Sequence, residues 1–254
     1  IHPLDVIGNI RATNQIRAQS ICDEGGSNCK NIRDTRWSRL SGDGIVASTT
    51  KIGNGTNGGP TLANDDFFSA PAPIGDLDGD GVDDLAIGAA GDKVNGSRLG
   101  AVYIAFMNAT GTIRSTVKIS HNTNGGPTLR EDEQNQFGHV VTAIGDLDAD
   151  GVVDLATGAF LYGDATGRGA VFILFMKRDG TVKSSVRIAD ETNGGPPLAD
   201  DWLGVEVAAI GDLDGDGIPD LAAGAFLDDT GGTNRGAVYI FFMKRTGTVR
   251  SFVK

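Results

Sequence analysis

The chain has 254 residues, 38 of them glycine, with 6 % aromatics and a formal net charge of −11 at pH 7. So much glycine fits many turns and thin, closely packed sheets better than a helical bundle. The acidic balance excludes nucleic acid as a partner, which needs a basic face, and leaves cation binding or plain solubility as its use. The longest apolar runs resemble "AVFILFM" (Ala170 to Met176), far short of the roughly 20 residues of a membrane helix, so no membrane span is expected.

Residues 1–51 are read as a divergent N-terminal β segment. The chain opens on Ile1 without a visible signal peptide, as a processed or excerpted chain would. Cys22 and Cys29 enclose "DEGGSN", and Gly25 and Gly26 let that stretch turn back. Either a small disulfide loop or two free thiols follows, the disulfide in a secreted protein. The end of the segment, "GIVASTTKI" (Gly44 to Ile52), matches the last strand of a repeat that follows. The segment is therefore a degenerate fourth unit, or its last strand pairs with something outside this sequence.

From residue 52 the chain repeats itself. "GDLDGDG" starts at Gly75, "GDLDADG" at Gly145 and "GDLDGDG" at Gly211. Each is preceded by "TNGGPTL" or "TNGGPPL" and followed by "DLAIGAA", "DLATGAF" or "DLAAGAF". Then come "GAVYIAFM", "GAVFILFM" or "GAVYIFFM", and closing strings such as "GTIRSTVK" at Gly111. Three units result, 52–118, 119–187 and 188–254. Each reads as four short strands with glycine-rich turns, the fourth alternating clearly at Val182, Ser184, Val186 and Ile188. No segment keeps a 3.6-residue period. The pattern predicts an all-β protein of β-propeller blades, each of four antiparallel strands, because the period is too short for separate sandwiches. Pro71 and Pro73 in the first strand of the first unit place that strand at a sheet edge.

Between the first and second strands of each unit stands an acidic loop. Asp76, Asp78, Asp80 and Asp84 occupy its positions 1, 3, 5 and 9. Asp146, Asp148, Asp150 and Asp154 repeat the spacing, as do Asp212, Asp214, Asp216 and Asp220. Two like charges 4 Å apart cost about 4 kcal/mol at an effective dielectric of 20. A hard divalent cation removes that cost, and Ca²⁺ takes six to eight oxygens in flexible geometry. Position 6 is Gly81, Gly151 or Gly217, suited to a sharp turn; position 7, Val82, Val152 or Ile218, can offer a backbone carbonyl. Position 4 is Gly79 and Gly215 but Ala149 in the middle unit, a strained site if a positive φ is required there. An EF-hand would need Glu at position 12, where Ile87, Thr157 and Ala223 stand instead. Solvated acidic turns without metal are the alternative. Three turns at matching places favour three Ca²⁺ sites.

With these motifs the units resemble FG-GAP repeats, the blades of the integrin α-subunit propeller. The "FG" pair stands as Phe137-Gly138 and Leu203-Gly204, but as Phe67-Phe68 in the first unit, so close packing at that entry is not expected. The "GAP" positions are Gly88-Ala89-Ala90, Gly158-Ala159-Phe160 and Gly224-Ala225-Phe226. The resemblance implies Ca²⁺ in the aspartate loops and, since such propellers usually have seven blades, an excerpted, four-bladed or subunit-completed ring. "HPLDVIGNIRAT" (His2 to Thr13) is similar to segments of bacterial and phage fibre proteins, which implies a connector or assembly element; an ordinary edge hairpin is the alternative.

His2, His121 and His139 do not recur in register, and no nucleophile elbow or phosphate loop is present. No enzyme is therefore expected. The reading is a non-enzymatic, calcium-binding extracellular or cell-surface module for adhesion or structural assembly. Its partner is a protein or glycan, or copies of itself. Alternatives are a fibre or filament subunit and a carbohydrate-binding propeller using Trp37, Trp202 or Tyr162 as sugar platforms. The sequons at Asn54, Asn95 and Asn108 lie in expected turns and are candidate N-glycosylation sites.

Overall fold

A computed structural model describes residues 49–254, apart from 65, 131–133 and 164–166, together with two short strands, β1 (Ser20–Ile21) and β2 (Lys30–Asn31). The chain divides into two units, Ile1–Thr50 and Lys51–Lys254. In the first, β1 and β2 pair antiparallel, Ser20 opposite Asn31 and Ile21 opposite Lys30. The pairing of Cys22 with Cys29, the His2–Thr13 likeness and Trp37 lie outside the described residues. So does most of "GIVASTTKI"; its described end, from Thr49 to Ile52, is not strand.

The second unit holds three four-stranded antiparallel sheets and, among the described residues, no helix. The first sheet has β3 (Pro71–Gly75), β4 (Asp84–Ala89), β5 (Ala101–Met107) and β6 (Ile113–Ser120) in sequence order. The second has β7 (Val141–Gly145), β8 (Asp154–Ala159), β9 (Ala170–Met176) and β10 (Val182–Ile188). The third has β11 (Leu203–Gly211), β12 (Asp220–Ala225), β13 (Ala237–Met243) and β14 (Val249–Val253). Each is a propeller blade: four consecutive strands pair as a meander, and the first strand is an edge. That edge tolerates Pro71 and Pro73, whose missing N–H groups would break an inner ladder.

The blades stack because their small residues let backbones touch. Phe137 bridges in parallel to Gly100, and Leu203 to Gly169. Phe137 N–H donates to the Leu99 carbonyl (2.9 Å), and Leu203 N–H to that of Arg168 (3.0 Å). Gly138 and Gly204 hold φ of +82° and +87°, and a Cβ on either would overlap the carbonyl of Ala101 or Ala170. Phe137 and Leu203 are thereby wholly buried, whereas Phe67, at the first blade's entry, is 49 % exposed. Phe68 instead lies edge-on to Tyr103 of its own blade, at 6.4 Å.

The central strands β5 and β9 are buried along their whole length, β9 between neighbouring blades. On the third blade the matching face is open among the described residues: Val238 is 57 % and Leu213 58 % exposed, where Val102, Val171, Leu77 and Leu147 are buried. The repeated "TNGG" turns serve as struts. The carbonyls of Asn57, Asn124 and Asn193 accept from the first residue of β6, β10 and β14, each at 2.9 Å.

Candidate metal centres

Each acidic loop joins the first two strands of a blade, at one end of the sheet. The ninth-position aspartates Asp84, Asp154 and Asp220 open β4, β8 and β12, and all are buried. Each carboxylate bridges two N–H groups. Asp84 accepts from Leu77 (3.1 Å) and Met107 (2.9 Å). Asp154 accepts from Leu147 and Met176, and Asp220 from Leu213 and Met243, all at 3.0 Å. The ninth position thus ties the loop to the end of the third strand. Burial pushes the Asp84 carboxyl up, and pushes Asp154 to about 6, against the pull of those N–H donors.

The first position folds the loop around itself. Asp76 accepts from Gly79 (2.8 Å), Asp80 (2.9 Å) and Gly81 (2.8 Å), and Asp212 accepts from Gly215, Asp216 and Gly217 in the same way. In the middle loop Asp146 accepts from Asp150 and Gly151. Position 4 does need a positive φ: +83° at Gly79, +79° at Gly215 and +65° at Ala149. The middle loop therefore carries the strain of a left-handed non-glycine residue.

Three carboxylates converge in each loop, those of positions 1, 3 and 9. The groups Asp76/Asp78/Asp84, Asp146/Asp148/Asp154 and Asp212/Asp214/Asp220 each offer oxygens within 4.8 Å of one another. The fifth-position residues Asp80, Asp150 and Asp216 stand outside these groups. Their Oδ1 atoms accept from the N–H groups of Val82, Val152 and Ile218, each at 2.9 Å. Their Oδ2 atoms pair with Arg114 (3.0 Å), Lys183 and Arg250 (2.8 Å). The same basic residues reach the third position, pairing with Asp78, Asp148 (2.6 Å) and Asp214. Lys183 holds the Asp150 carboxyl below the usual range.

The oxygen-only donor set fits a hard divalent cation. One atom argues for it directly: Asp148 Oδ1 is buried and has no hydrogen-bond partner. A buried, unpaired carboxylate oxygen is costly, and a cation among these oxygens would satisfy it.

Residues 67–104 and 204–241 match the FG-GAP repeat family model. The chain carries FG-GAP repeats. Integrin alpha-5 of Xenopus laevis is 34 % identical over 167 residues, 65 % of this chain and 15 % of that protein. Integrin alpha-PS2 of Drosophila melanogaster is 32 % identical over 171 residues, 65 % of this chain and 12 % of that protein. Phosphatidylinositol-glycan-specific phospholipase D of Bos taurus is 33 % identical over 174 residues, 66 % of this chain and 19 % of that protein. The chain spans only a small part of the length of each of these relatives.

The other residues singled out in the sequence are scattered over the three blades and the turns that precede them. Asn54 and Asn95 are exposed. Asn54 accepts from the Leu62 N–H (3.0 Å), and the Asn108 amide donates to Thr112 Oγ1 (3.0 Å). Trp202 packs against Phe160 and Phe226, with ring centroids at 5.3 and 6.3 Å, while Tyr162 is buried beneath the Arg187 guanidinium. The two form no shared platform. Among the described residues no helix is long and apolar enough to cross a membrane.

The sequence reading missed the basic partner of each loop. Its signal was present: Arg114, Lys183 and Arg250 occupy the same place, two residues after Thr, in "GTIRSTVK", "GTVKSSVR" and "GTVRSFVK".

Proposed function

We propose that the repeats at 52–118, 119–187 and 188–254 form a calcium-binding, non-enzymatic part of an extracellular propeller that serves adhesion or structural assembly. One observation carries the calcium reading. Oxygens from three carboxylates converge in every blade, and in the middle one a buried oxygen lacks any partner. Positions 1, 3 and 9 would hold the ion, position 5 would join them, and the carbonyls of Val82, Val152 and Ile218 are further candidate ligands. A bound Ca²⁺ would supply the positive charge that one basic side chain per loop leaves unbalanced among four carboxylates, fixing the loop to the strands that flank it. Three such ions would offset more than half of the net charge of −11.

The adhesive and extracellular parts of the reading rest on the integrin alpha relatives, which are matched over about two thirds of this chain. A partner of this kind is a protein or glycan at a cell surface, or further copies of the chain. Calcium titration by isothermal calorimetry tests the proposal. Three ions bound per chain are expected, at affinities of about 10⁻⁴ to 10⁻³ M, as in extracellular modules. No heat of binding at millimolar calcium would overturn it.

A further inference from the structure

The second residue of every fourth strand is basic: Arg114 on β6, Lys183 on β10 and Arg250 on β14. Each lies against its own blade's acidic loop and pairs with positions 3 and 5. Position 5 is fully engaged by this arrangement. One oxygen takes the N–H of residue 7 and the other takes the basic side chain. That pairing explains why Asp80, Asp150 and Asp216 stand apart from the converging oxygens of positions 1, 3 and 9. An ammonium or guanidinium and a divalent cation repel each other and compete for the same oxygens. The basic side chains can leave, since they are 43 %, 39 % and 42 % exposed and already reach water.

We propose that Arg114, Lys183 and Arg250 are resident counter-cations, which hold each loop together without metal and must release the fifth-position carboxylate when a divalent cation takes its full oxygen set. The proposal rests on the calcium reading above. It makes each fourth strand a determinant of metal affinity, in competition with the ion. Arginine spans two carboxylates as a fork, whereas lysine is a point charge, so Lys183 is the easier resident to displace.

The test compares Arg114→Gln, Lys183→Gln and Arg250→Gln with the unmodified protein by calcium titration and by melting with and without calcium. Each variant is expected to tighten one of the binding steps by about 3- to 10-fold, the scale of losing one or two exposed ion pairs. Its metal-free melting point should fall while its calcium-loaded one stays put, so the calcium-induced rise grows. A merely structural role would lower both melting points together and leave affinity alone. Lys183→Arg guards against a variant that does not fold: it keeps the charge and should weaken one binding step. Unchanged or weaker binding in the glutamine variants, with the unmodified protein binding normally, overturns this proposal alone. An unmodified protein that binds no calcium overturns the calcium reading with it.

Discussion

The first and third blades solve one packing problem in a way the second does not. In the first, Asp92 is buried, takes a hydrogen bond from the Tyr103 hydroxyl (3.2 Å) and pairs with Lys118 (2.7 Å). In the third, Asp228 does the same with Tyr239 (3.2 Å) and Lys254 (2.5 Å). In both, the lysine also lies over the tyrosine ring. In the second blade those three places hold Tyr162, Phe172 and Arg187. The anion is gone, Tyr162 packs edge-on to Phe172 at 5.6 Å, and the Arg187 guanidinium sits 4.9 Å above the Tyr162 ring. The cation survives in all three blades while its partner changes from a buried carboxylate to an aromatic face. A buried ion pair is thus replaceable by an aromatic stack here, but the two differ in how they fail.

The ninth-position aspartate, which all three blades share, gives the largest expected effect. Asp84→Ala or Asp154→Ala strands two buried N–H donors, and each should cost about 3 kcal/mol in urea unfolding without calcium. Asp220→Ala should cost less, because Leu213, one of its two donors, lies on the open face of the third blade. The first two blades should behave alike. The next change should separate them. Lys118→Met leaves the buried Asp92 without its cation and should cost about 2 kcal/mol. Arg187→Met loses a cation–π contact and a hydrogen bond to the Tyr162 hydroxyl but strands no buried charge, about 1 kcal/mol. Equal losses would show that the carboxylate is no real difference between the blades.

Acid should discriminate in the same direction. Burial alone would raise Asp228, but Lys254 and Thr230 prevail and hold its carboxyl at about 2. Its folded value therefore lies below its unfolded one. The stability it contributes is fully present above about pH 4 and is lost as pH falls through 2. Asp228→Asn should flatten the stability profile in that window, while Tyr162→Phe should leave it unchanged. The smallest effect concerns the loops. Ala149→Gly relieves a left-handed alanine and should stabilise the protein by about 0.5–1 kcal/mol, in contrast to Gly79→Ala, which should destabilise it.

Much of this was legible in the sequence, because repetition turns weak signals into strong ones. Twelve aspartates in register mark the loops, and Gly138 and Gly204 mark places where backbones meet. The strain at Ala149 follows from one substitution against two glycines. The recurrence of Arg114, Lys183 and Arg250 stood in the sequence, but what they pair with did not, since an alternating exposed basic residue on a fourth strand looks like ordinary solvated surface. Only the pairing of the third and fourth strands brings it back across the sheet to the loop. The Asp92 and Asp228 pairs were hidden for a similar reason: their partners lie 11 residues away on one strand and 26 on the next.

Melting in excess EDTA against melting in millimolar calcium tests the central claim most directly. If a divalent cation balances each cluster of carboxylates, calcium should raise the melting temperature by several degrees per occupied loop. The gain should shrink when Asp76, Asp146 and Asp212 are changed together to Asn. Identical melting curves with calcium and with EDTA would contradict the account.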